Sequence, residues 1–166
     1  MNVLAVTAHP DDAEIFMYGL LSIFKKKQNN IDVIIATDGS AGGSHKGQAL
    51  AKTRANETIK GLSKLTKPIF LNHPDGRLYD NANIFDSLSD CVKKINPDVV
   101  ITHSPYDYHT DHRTLSKLTA EIIDFRCPIL FCDTLMGLNF TPEFFIDITC
   151  EFEEKRKAIL NHKSQN

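Results

Sequence analysis

The sequence predicts a single α/β domain, residues 1–166, with a mostly parallel sheet. Short apolar runs alternate along the chain with longer stretches of helical periodicity. The runs are continuously apolar, as in Val3-Leu4-Ala5-Val6, Val33-Ile34-Ile35-Ala36 and Val99-Val100-Ile101, which suits strands covered on both faces. Two of them lead directly into clusters of histidine and aspartate, and the carboxyl ends of parallel strands are where open α/β sheets hold ligands.

The elements follow in order. Residues 2–8 form a first strand, and residues 12–27 a helix that is apolar on most faces and therefore well buried. A second strand covers 32–37, and the Gly- and Ser-rich stretch 38–47 is a loop that reads as a flexible lip over a pocket. A helix spans 48–60 and stops at Gly61, before a short strand at 68–71. Residues 82–95 are amphipathic, with Ile84, Phe85, Leu88, Cys91, Val92 and Ile95 on one face, and Pro97 prevents continuation. A buried strand at 98–102 precedes a helix at 111–125 on which Leu115, Leu118 and Ile122 align. Strands at 129–132 and 144–148 and a charged helix at 151–161 complete the pattern.

The formal charge of −2, with acidic and basic residues intermixed, gives no reason to expect nucleic acid or an anionic membrane as partner. No apolar stretch approaches the roughly 18 residues of a membrane span. Cys91, Cys127, Cys132 and Cys150 form no C-x-x-C pair and read as reduced thiols, so a cytoplasmic protein is expected. The sequence leaves a homo-oligomer open.

The chemistry concentrates in His9-Pro10-Asp11-Asp12-Ala13-Glu14 and in Pro105-Tyr106-Asp107-Tyr108-His109-Thr110-Asp111-His112. Proline and acidic residues also suit an ordinary helix start, which on its own accounts for Asp11, Asp12, Glu14 and Asp111. It does not account for His9, nor for His109 and His112 within four positions. If both preceding strands are parallel, both clusters emerge on one edge and can meet. His9, Asp12 and His112 then make a two-histidine, one-carboxylate set with open positions, as in catalytic zinc sites. The same set suits non-haem iron(II). Asp11, whose side chain diverges from that of its neighbour, is free to carry protons as general base and acid. A protonated His109 can stabilise an oxyanion, with Asp111 or Asp107 holding it.

These two motifs together resemble the PIG-L/LmbE-like family of zinc-dependent de-N-acetylases. Asp38-Gly39, Arg54-x-x-Glu57, Asp75-Gly76-Arg77-Leu78, Phe145-Ile146-Asp147-Ile148-Thr149, Glu154-Lys155-Arg156 and His162-Lys163-Ser164-Gln165 are similar to further family segments in the same order. The resemblance implies a Rossmann-like three-layer fold, zinc on His9, Asp12 and His112, and Asp11 as base and acid. It also implies His109 as the electrophile with Asp111 its partner, Arg54 as a contact to sugar or phosphate, and an amino-sugar substrate of the N-acetylglucosamine type. Asp107 stands where some members carry a tyrosine donor, so Tyr106 and Tyr108 gain no role from it. Many members continue beyond the final Ser-Gln, and this sequence ends at Asn166, so the domain is expected to lack that extension.

His45, His73 and His103 are single histidines that read as packing or surface residues, His103 being the strongest of them because it follows a strand. The glycines at 39, 42 and 43 match no nucleotide-binding pattern. Two other functions fit the sequence: an amidase acting on a thiol–sugar conjugate, and a carbohydrate-binding module without catalysis.

Overall fold

The computed structural model describes residues 1–43, 46–134 and 139–165. Five strands, β1 (Asn2–Thr7), β2 (Asn30–Thr37), β3 (Ile69–His73), β4 (Val99–His103) and β5 (Ile129–Cys132), pair in parallel in the order β3-β2-β1-β4-β5. Parallel neighbours need crossovers, and helices α1 (Tyr18–Lys26), α2 (Gln48–Gly61), α3 (Asn83–Ile95) and α4 (Thr110–Ile123) supply them. A fifth helix, α5 (Phe152–Ile159), packs beside α1 and α2.

The period-2 alternation of the strands divides the core into two layers. Val3, Ala5, Val33, Ile35 and Ile101 face Met17, Leu21, Leu62 and Ala158 on one side. Leu4, Val6, Ile34 and Val100 face Leu88 and Val92 of α3 and Leu115 and Ile122 of α4 on the other. Burying each Val, Leu, Ile or Met among them stabilises the fold by about 1.5–3 kcal/mol. The α3 stripe keeps Ile84, Leu88 and Val92 buried, while Phe85 at its margin is exposed. Asn96 ends α3 in the left-handed conformation (φ 48°), and Pro97 follows.

Strand order reverses at β1, whose neighbours are β2 and β4, with Val6 opposite Thr102. A crevice outside the carboxyl ends of β1 and β4 follows from that reversal.

Three expectations need correction. Residues 144–148 form no strand. An apolar run becomes a strand only where a ladder partner exists, and here Asp147 Oδ1 turns the chain by accepting from the Thr149 N–H and hydroxyl. Gly61 is not a left-handed cap but the last residue of α2. Its missing side chain makes room for Glu14, since a Cβ there would lie 2.5 Å from Glu14 Oε1. The first helix opens with a π-turn, Ala13–Met17, in which neither Asp11 nor Asp12 caps a helix through its side chain.

Candidate metal centre

Both polar clusters emerge at the crevice. Thr102 Oγ1 donates to Val6 O (2.9 Å) and Thr37 Oγ1 to Ala8 O (2.8 Å), which ties the end of β1 to both neighbours. Beyond it the backbone folds tightly. The His9 N–H donates to Asp12 Oδ2 (2.7 Å), and Asp11 takes a φ of 126°. That φ is rare for an L side chain and costs about 1–3 kcal/mol, which marks functional sites more often than ordinary turns. π-Turns show the same association.

Three ligand-type atoms converge. His9 Nδ1 and His112 Nε2 are 3.1 Å apart, His112 Nε2 and Asp12 Oδ2 3.3 Å, and His9 Nδ1 and Asp12 Oδ2 3.4 Å. A tetrahedral ion with bonds of about 2.0–2.1 Å separates its ligand atoms by about 3.3 Å. The residues present therefore fit such an ion.

The outward nitrogens of both imidazoles are engaged by carboxylates. His112 Nδ1 meets Asp107 Oδ2 at 2.8 Å. His9 Nε2 lies 3.1 Å from Asp75 Oδ1 and 3.3 Å from Asp111 Oδ2. Carboxylates behind ligating histidines fix the tautomer and ring orientation in metal sites. Burial opposes a charge on His9, but Asp111, Asp12 and Asp75 outweigh it and hold the imidazole well above its ordinary value. Burial is likewise outweighed at His112, where Asp12 and Asp107 lift it to about 9. Asp75 is pushed the other way, to about 2, because His9, the Ala41 N–H and Arg54 overcome its burial. A metal ion held here would displace the imidazole protons, because ligating histidines are neutral.

Other groupings come close. His9, His109 and His112, and separately Asp12, His103 and His112, each offer atoms within 4.8 Å of one another, as do His9, Asp75 and Asp111. In the first two, one nitrogen is already committed: His103 Nε2 accepts the Ala8 N–H (3.0 Å) and His109 Nδ1 accepts the Asp111 N–H (3.2 Å). His103 instead stacks on His112, with ring centroids 3.8 Å apart, and backs it from behind. Asp75 and Asp111 lie on the outward face of His9, where they steer the ring.

Sequence reasoning placed Asp75 in a family-like segment without giving it a role, and it did not foresee the backing role of His103. The contact of Asp75 with His9 has no local signal, because it is made from the loop after β3. Asp111 departs from its expected place: its carboxylate accepts from the Gly76 and Leu78 N–H groups and meets His9, and only its backbone N–H touches His109. His109 is also not primed as a cation. Burial, His9 and His112 depress it, and with Nδ1 accepting a hydrogen bond its proton sits on Nε2.

Arg54 is 3% exposed, donates to Gly39 O, Pro10 O and Asp11 Oδ2, and lies 3.9 Å from Asp75 Oδ2. The glycines at 39 and 42 serve this close packing, since a Cβ on Gly42 would lie 2.3 Å from Arg54 Nη1. Asp11 Oδ2 accepts from Arg54 Nη2 at 3.1 Å. Burial and then the Asp12 charge raise the Asp11 carboxyl to about 6 despite Arg54. His73 bridges Ser87 and Asn81 away from the cluster, and His45 lies outside the described residues.

A cavity of about 640 Å³ lies not over this cluster but beside it, at the β5 edge, lined by Phe16, Leu20, Phe131, Phe144, Phe145 and Ile146 among others. Phe16 stands between the two, its ring 6.3 Å from that of His112.

Residues 4–123 match the family described as PIG-L, GlcNAc-PI de-N-acetylase. A diacetylchitobiose deacetylase of Thermococcus kodakarensis is 30% identical over 99% of this chain and 70% of its own length. The structure of N,N′-diacetylchitobiose deacetylase from Pyrococcus horikoshii superposes with a TM-score of 0.87 at 28% identity, covering 99% of this chain and 70% of that one. A 4-carboxy-2-hydroxymuconate hydratase from Pseudomonas putida shares the fold, with a TM-score of 0.86 at 21% identity over 99% of this chain and 80% of its own.

Proposed function

The chain belongs to the PIG-L family, and we propose that it is a metal-dependent hydrolase that removes the N-acetyl group from an amino sugar of the N-acetylglucosamine type. One observation carries this reading: His9 Nδ1, Asp12 Oδ2 and His112 Nε2 stand 3.1–3.4 Å from one another, at tetrahedral spacing. We assign these three as the ligands and zinc as the ion, with iron(II) the alternative. When bound, the ion would supply Lewis acidity to the acetamide carbonyl and acidity to the attacking water.

The chain's own groups divide the remaining work. Asp11, with its carboxyl near 6, is suited to take a proton from water near neutral pH and to return it to the leaving amine. His109, neutral with its proton on Nε2, donates a hydrogen bond to the carbonyl oxygen as negative charge develops there. Asp107, Asp75 and Asp111 keep His112 and His9 oriented. The amino-sugar substrate follows the diacetylchitobiose named for both relatives. Among the described residues no helix is long and apolar enough to cross a membrane, and the four cysteines are unpaired, which suits the cytoplasm.

The fold also carries a hydratase, so activity must be read by its product. Zinc-loaded protein with N,N′-diacetylchitobiose should release acetate, chelation should abolish release, and zinc should restore it. Acyl release from a thiol–sugar amide in preference to acetate would instead favour the amidase. Sugar binding without acetate release by the loaded protein would overturn the hydrolase in favour of a binding module. Substituting His112→Ala should lower bound metal in elemental analysis; unchanged content would refute the ligand set.

A further inference from the structure

Asp11 occupies a backbone conformation that its own side chain disfavours. Such a residue persists only where its surroundings over-determine it. Within its own loop the His9 N–H donates to Asp12 Oδ2 at 2.7 Å, the Asp12 N–H to His9 O at 3.3 Å and the Ile15 N–H to Asp11 O at 2.9 Å, but none of these reaches the Asp11 side chain. That restraint comes from α2. Arg54 Nη2 donates to Pro10 O at 2.7 Å and to Asp11 Oδ2 at 3.1 Å, while Nη1 donates to Gly39 O at 3.0 Å. One planar fork thus holds the peptide preceding Asp11, the Asp11 carboxylate and the loop after β2 in a single arrangement.

Both ends of this link are fastened to the same C-terminal segment. One turn beyond Arg54, Glu57 accepts from the Ser164 N–H (3.0 Å) and hydroxyl (2.6 Å). Three residues beyond Asp11, the buried Glu14 pairs with His162 at 2.9 Å. The segment therefore sets the spacing between α2 and the π-turn, and Arg54 spans it.

We propose that Arg54 is a positioning residue: its guanidinium holds Asp11 in its positive-φ conformation, so that the carboxylate stays beside the His9–Asp12–His112 group without joining it. The catalytic consequence rests on reading Asp11 as the base, whereas the conformational one does not.

Crystal structures of Arg54→Gln and Arg54→Lys read the conformation directly. Asp11 should relax to negative φ in Arg54→Gln. An Asp11 that keeps its φ in a folded Arg54→Gln overturns the proposal. If Arg54→Gln does not fold, Arg54→Lys decides in the same way, because a single ammonium cannot span Pro10 O, Asp11 and Gly39 O together.

Kinetics with zinc-loaded protein and N,N′-diacetylchitobiose give the second readout. Turnover of Arg54→Gln should fall about 10²-fold, with KM within about threefold and zinc content unchanged. In an Asp11→Asn background the same substitution should cost less than about threefold, because residues acting as a unit are non-additive. A rise in KM with additive losses would make Arg54 a substrate contact and sink the positioning role. Full activity in Asp11→Asn alone would remove the base assignment, while Asp11 φ in the variant structures still decides what Arg54 does.

Discussion

The loop after β4 makes its own turns, whereas the loop after β1 is held in shape by residues from across the chain. Past β4, the Asp107 N–H donates to Ser104 O, the His109 N–H to Asp107 Oδ1 and the Asp111 N–H to His109 Nδ1, all within three positions. The His109 backbone is extended, as an N-cap should be, and α4 follows without distortion. Past β1 the His9 N–H also bonds locally to Asp12 Oδ2, but Asp11 sits at positive φ, the helix opens with a π-turn, and further partners, Arg54, His162, Asp75 and His103, lie at least 43 positions away. One loop presents its ligand by local chemistry and the other stores strain that the tertiary structure must hold. The strained one carries the proposed base.

The sharpest way to break this comparison is Asp11→Asn. If the strained loop exists to present a base, turnover should fall about 10²–10⁴-fold with metal retained, as a steady-state assay paired with metal analysis would show. The pH profile adds a sign. The Asp11 carboxyl lies near 6, so the basic form is lost as pH falls, and a bound cation stabilises that form further. Activity should therefore decline on the acid side with a midpoint at or below about 6. An acid-side midpoint well above 6 would count against Asp11.

The contrast also explains what could be read from sequence. The alternation of βα units, the crossing of the two clusters and the ligand-type residues were legible because they depend on period and on spacing within a few residues. The partner of His112 was within reach too, since Asp107 is five positions away. Asp75 and His103, by contrast, meet the site only through the register of β1 with β4 and the path of the chain after β3. The resemblance marks Arg54 as a contact to sugar or phosphate, and its burial and its bonds to Pro10 and Asp11 are not visible in sequence. The stretch 144–148 read as a strand because apolarity is visible in sequence and a missing ladder partner is not.

The histidines test the comparison at smaller amplitude. His112 depends on one carboxylate, so Asp107→Ala should weaken metal binding about 10–100-fold, measured by competition with a chromophoric chelator. His9 is steered by two, Asp75 and Asp111, and either substitution alone should cost less than Asp107→Ala. Equal losses at all three positions would show that the loop after β1 is no better braced than the loop after β4.

The smallest effect tests the brace itself, by stability and not by catalysis. Burial opposes a charge on His162, but Glu14, Asp11 and Glu57 outweigh it and raise its pKa in the folded state. The unfolded value is about 6.5. A histidine raised on folding contributes stability that is fully present below the unfolded pKa and is lost as pH rises through the folded one. His162→Gln should thus destabilise the protein by about 1–3 kcal/mol near pH 6, as expected when a buried carboxylate loses its partner, and by progressively less toward alkaline pH. Urea titrations of both proteins at several pH values would measure the difference. If the gap stayed constant with pH, the Glu14–His162 contact would be held by neutral packing, and the charge that fastens the C-terminal segment beside Asp11 would have to come from the Glu57–Ser164 contact alone.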